Sequence, residues 1–131
     1  MKATALGYLL LFLASISANA QTFPEYNIMY EKCIKKEGRV NNSVVEVCSN
    51  MTSDKAKREI TKRYKSIYDR LLSSEFPENA KKFEASQKAW LQYRNTHCNL
   101  AGTYIGSPMY VVCPMNLNSA RAEELRGLDR E

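Results

Sequence analysis

The single histidine, His97, stands beside Cys98. That pairing can support nucleophilic thiol chemistry when an imidazole takes the thiol proton. Neighbouring residues on a helix point about 100° apart, so these two side chains would not meet. Four cysteines (Cys33, Cys48, Cys98 and Cys113) also form an even set, which reads as two disulfides in a short exported chain and leaves no free thiol. The same four thiolates would suit zinc only with close C-x-x-C pairs, and the sequence neighbours here stand 15 apart. Carboxylate pairs such as Glu123-Glu124 lie in no apolar run that would raise a pKa for acid catalysis. There is no glycine-rich phosphate loop. These residues predict a protein that is not an enzyme, with no metal and no cofactor.

The elements that must position these residues begin after a leader. Met1-Lys2, the apolar run from Ala5 to Ile16 and the small-x-small Ala18-Asn19-Ala20 predict a signal peptide over 1–20. The run is too short for a membrane anchor, which needs roughly 20 apolar residues, so no transmembrane anchor is expected after processing. What remains, 21–131, suits one domain. Its net charge is one unit below the +5 of the whole chain, because Lys2 leaves with the leader. The predicted location is the periplasm or the medium.

Nearly all of the rest reads as helix. Tyr26, Met29, Tyr30 and Cys33 follow a 3-4 spacing, and Gly38 with Asn41-Asn42 marks a turn. Ser43-Val44-Val45-Glu46 has the form of a capping box, opening a long helix to about Leu72 with Ser53-Asp54 as a kink or restart. Its apolar positions include Val44, Val47, Cys48, Met51, Ala56, Ile60, Tyr64, Ile67 and Leu72. Pro77 suits the first turn of the next helix, which carries Phe83, Gln87, Trp90, Tyr93 or Arg94, and His97 on related faces. From Ala101 to Leu117, Gly102, Gly106, Pro108 and Pro114 predict an irregular loop, and Asn118 caps a last short helix. The expected fold is all-α: a small antiparallel bundle of three to four helices with two disulfides and one irregular loop before the last helix. Cys33 and Cys48 lie at equal distances from their turn, which favours the pairs Cys33–Cys48 and Cys98–Cys113; the crossed pairings stay open.

Two surfaces could meet a partner. Lys55, Arg58, Lys62 and Lys65 share one stripe of the long helix, either a solvated face or a patch for anionic surfaces. The segment Gly102–Pro114 is rich in apolar and aromatic groups; Tyr104, Ser107 and Tyr110 are its candidate partner-binding residues. Nucleic acid is not an expected partner, since no recognition motif is present.

Gln87-x-x-Trp90-x-x-Tyr93-Arg94-x-x-x-Cys98, then Gly106-Ser107, Cys113, and Leu117-Asn118-x-x-Arg121-x-x-x-Leu125 form a further pattern. It resembles the family named after the N-terminal region of the lysozyme inhibitor LprI, over roughly Cys33 to Leu128. Asn95 stands where that family often has Asp, and Asn118 where it often has Thr. The resemblance implies an all-helical, disulfide-bearing, exported bacterial envelope domain whose namesake binds lysozyme. Gln87, Trp90, Tyr93, Arg94, Arg121 and Leu125 read as structural, with Trp90 and Tyr93 in the core and both arginines on carboxylates at its edge. The expected function is binding: inhibition of a lysozyme or other peptidoglycan hydrolase. The alternatives are an immunity or adaptor protein for one cognate partner such as a toxin, and an envelope module on anionic surfaces. Lysozymes are commonly cationic and would be repelled by a cationic inhibitor at long range. Inhibition therefore calls for local contact, such as a loop donor placed against the carboxylate pair of the cleft.

Overall fold

A computed structural model describes residues 24–129. The expected leader, 1–20, lies outside the described residues. Four helices follow in order: α1 (Pro24–Glu37), α2 (Asn42–Leu72), α3 (Glu78–Ile105) and α4 (Met109–Leu128). No strand occurs among the described residues. Consecutive helices are antiparallel. The contacts Ser53–Asn118 and Ser66–Asp129 advance together along both helices, so α2 and α4 run in the same direction.

Each turn has a local cause. Gly38 and Gly106 adopt φ of 72° and 99°, a region L side chains rarely enter, and they end α1 and α3 respectively. Asn41, in extended backbone, caps α2 by accepting from the Val44 amide at 3.0 Å. The cap therefore falls two residues before Ser43, which is already helical. α2 passes through Ser53-Asp54 without interruption, because Ser53 is buried against α4 and its hydroxyl accepts from Asn118 Nδ2 at 2.7 Å.

The greatest departure from expectation lies between Ala101 and Leu117. The irregular loop before the last helix is there, but it spans only Gly106–Pro108, with a cis Ser107-Pro108 bond. Gly102 does not break α3. A Cβ there would lie 2.3 Å from the Tyr110 ring, so glycine makes room for α4 to cross. Pro108 occupies the N-cap of α4 and Pro114 lies inside it, where the residue four positions back, Tyr110, loses an amide partner. Tyr110 to Val112, within the predicted loop, thus belong to the first turn of α4. Asn118 is a buried mid-helix residue, not a cap.

Small side chains bring α2 and α4 close: Ser49, Thr52, Ser53 and Ala56 face Asn118, Ser119 and Ala122, all buried. Further along, Tyr26, Ile60, Ile67 and Leu125 form the apolar core, with Tyr64, Leu71, Phe83 and Trp90 packed around it. Burial pushes the Tyr26 phenol up to about 12. The disulfides are Cys33–Cys48 and Cys98–Cys113, with Cα separations of 5.6 and 5.4 Å. Stepping five residues back from the Ser53–Asn118 contact reaches Cys48 and Cys113, so both bridges lie level at one end of the bundle.

Candidate protein-binding surface

The motif residues build a polar layer between α3 and α4. Arg121, only 6 % exposed, donates through Nε and Nη2 to Gln87 Oε1 at 3.0 and 2.9 Å, and through Nη1 to Glu124 at 2.8 Å. Arg94 donates through Nη1 to Asn118 Oδ1 at 2.9 Å, while Nε and Nη2 share Asn95 Oδ1. Both guanidinium groups sit over the Trp90 ring, at 5.2 and 5.6 Å from its centroid, a favourable cation–π arrangement. Leu125 is fully buried. Two expectations need correction. Arg94 binds amide oxygens and no carboxylate among the described residues, because Asn95 and Asn118 are the acceptors within its reach. Tyr93 is exposed and stacks on His97 at 5.2 Å, because α3 turns Gln87, Arg94 and Cys98 inward instead.

An ionic cluster, not foreseen from spacing, fastens the C-terminal end of α4. The Asp129 carboxylate, 3 % exposed, accepts from Ser66 at 2.8 Å, from Arg63 at 3.0 Å and from Arg70. Hydrogen bonds from Ser66 and Arg63 hold its carboxyl below the usual range. Arg126 joins Glu25 of α1, Glu59 of α2 and Glu123 of α4. The basic stripe is solvent-facing throughout. Lys65 pairs with Asp69, whereas Lys55, Arg58 and Lys62 have no ion pair among the described residues.

The opposite corner is of another kind. From Asn95 to Ala120 the chain carries no Lys, Arg, Asp or Glu. Within that stretch Tyr104 is 87 % exposed, Ile105 67 % and Leu100 63 %, around a groove that also includes His97, Met109 and Cys113. Tyr93, His97, Leu100 and Tyr104 follow helical spacing along one face of α3. Ser107 is exposed in the turn, and Tyr110 rests one ring face over Gly102, with its hydroxyl 3.4 Å from Thr103 Oγ1. Tyr104, Ser107 and Tyr110 all lie at the α3–α4 tip, where Tyr104 lines the groove and Tyr110 packs on the face of α3 that carries Gly102 and Thr103. Leu100 lies outside both the motif and the apolar segment singled out from the sequence, and the signal that would have found it is the absence of charge from 95 to 120.

No thiol is free among the described residues, so Cys98 offers His97 no thiol to activate. No group of three or more His, Cys, Asp or Glu among them could hold a metal ion. No described helix is long and apolar enough to cross a membrane.

An all-α bundle closed by two disulfides, with a polar arginine–tryptophan layer and an uncharged exposed tip, defines a small disulfide-stapled helical domain. The family model described as lysozyme inhibitor LprI matches residues 33–125, and the chain belongs to that family. That span covers both disulfides, the arginine–tryptophan layer and the tip. No curated protein and no solved structure matches the chain.

Proposed function

We propose that this protein is an exported, non-catalytic inhibitor of a lysozyme or related peptidoglycan hydrolase, and that it docks through the α3–α4 tip. The observation that carries this reading is the coincidence of an uncharged 95–120 segment with the exposed side chains Leu100, Tyr104, Ile105 and Tyr110. A cationic enzyme approaching a cationic inhibitor meets least repulsion where no like charge stands. Exposed tyrosine and branched aliphatic groups then supply contact area at small entropic cost. The Cys98–Cys113 bridge lies directly behind the tip and holds its two helices together, so little ordering is left to binding. Ser107, in the turn itself, offers a hydroxyl donor to a carboxylate of the cleft.

Lysozyme-driven clearing of a cell-wall suspension tests this. The processed protein is expected to slow clearing. Added salt should hasten association by screening like charge. Tyr104→Ala should weaken inhibition by roughly 30-fold, the size of a central contact worth about 2 kcal/mol, with thermal unfolding unchanged. Absence of inhibition against every lysozyme and muramidase tried would overturn the proposal.

A further inference from the structure

Between α2 and α3, away from the tip, lies a groove of about 500 Å3. Its apolar lining comes from Ile60, Tyr64 and Trp90 with the more exposed Leu91, and its polar lining is dominated by donors. Gln87 is 9 % exposed, and its carbonyl oxygen is taken by Arg121, which fixes the carboxamide nitrogen as the remaining atom. That nitrogen has no hydrogen-bond partner among the described residues. Arg94 reaches the same groove with only the neutral oxygens of Asn95 and Asn118 for company. Three of its five N–H groups are engaged, so two remain to donate. At the rim, Lys88 is matched by Glu84 and Lys57 by Asp54, which leaves Arg94 as the lining cation with no carboxylate. Burial lowers the Arg94 pKa, and no neighbouring charge offsets that desolvation. An anion at this point would repair the imbalance.

We infer that the α2–α3 groove is a binding site for a small organic acid, its carboxylate on Arg94 and Gln87 and its ring or apolar body over Ile60, Tyr64 and Leu91. A carboxylate matches the planar fork of a guanidinium and accepts from an amide at the same time. The volume lies within the range of ligand-sized pockets. The site is separate from the tip, so it stands whether or not the protein inhibits a lysozyme.

The chain has one tryptophan, Trp90, in the lining of the groove, so intrinsic fluorescence reports directly on occupancy. Phenylacetate titrated into the processed protein should give a saturable change, with acetate and the neutral phenylacetamide each at least about tenfold weaker, the loss expected for one anchoring interaction. Asn95→Asp, at an exposed position, places a carboxylate on Arg94 from within and should weaken phenylacetate by about tenfold while leaving thermal unfolding intact. Arg94→Gln should abolish the response, and circular dichroism checks that it folds. Equal responses to phenylacetate and phenylacetamide, equal binding of acetate, or binding unchanged by Asn95→Asp would each overturn the assignment.

Discussion

Two corners of the bundle are held by opposite means. Where α4 ends, charge does the work: Asp129 gathers Arg63, Arg70 and Ser66 from α2, and Arg126 ties α1, α2 and α4 through Glu25, Glu59 and Glu123. Where α3 meets α4 there is no charge at all between residues 95 and 120, and a covalent bond between Cys98 and Cys113 takes its place. An ionic clasp needs charged groups at or near the surface. A disulfide needs none, and it leaves the surface above it free to be apolar. The difference shows how a small cationic domain can leave one face uncharged and apolar without loosening the fold.

The contrast is broken most forcefully at the sulfur. Cys98→Ser with Cys113→Ser opens a 15-residue span and should lower unfolding free energy in denaturant by about 3 kcal/mol, and inhibition should fall with it. Cys33→Ser with Cys48→Ser opens a span of the same length at a similar cost, yet should leave inhibition by the folded fraction unaltered, since that bridge joins α1 to α2. Equal loss of inhibition in both would place the contact elsewhere. Gly102→Ala comes next. Its Cβ would strike the Tyr110 ring, for a penalty of about 1–3 kcal/mol from overpacking, partly offset by alanine's helix preference of about 1 kcal/mol. Equilibrium unfolding measures the net, and a variant as stable as the parent would mean Tyr110 moves freely.

The smallest effect is on pH, at the ionic corner. The folded state holds the Asp129 carboxyl below its ordinary value, so its stabilisation is present above the unfolded pKa and fades as pH falls through the folded one. The melting temperature should therefore stay flat from neutrality to about pH 4 and drop below it. Asp129→Asn should melt lower at neutral pH and show a shallower acid decline. Identical acid profiles for parent and variant would assign the decline to Glu59, held low by the hydrogen bond from Arg63.

Much of this architecture was legible in the residues. The α1–α2 turn and the start of α3 just after Pro77 follow from spacing, which also favours the two cysteine pairs without closing the crossed alternatives. The phase of α2 did not. Val47, Met51 and Leu72 look like core yet are exposed, while Ser49, Thr52 and Ser53 look polar yet are buried. Apolar periodicity locates a greasy seam, whereas α2 and α4 meet through small side chains whose value is the close approach they allow. The stretch from 101 to 117 misled for a related reason. Its glycines and prolines signal breaks, but Gly102 serves a crossing helix, and Pro108 sits at a helix start. Tyr104, Ser107 and Tyr110 stand out as candidates from residue type and segment composition. The extent of the tip along α3 was not legible, because exposure of Leu100 and Tyr93 depends on which face α4 covers.

The pairing of the cysteines has a topological consequence. Each bridge closes one hairpin on itself, α1 with α2 and α3 with α4, and none crosses between hairpins. Only the main chain through Ser73–Pro77 joins the two halves covalently. A single proteolytic nick in that connector would give two fragments on a non-reducing gel, and exchange of hairpins between copies would require no thiol chemistry.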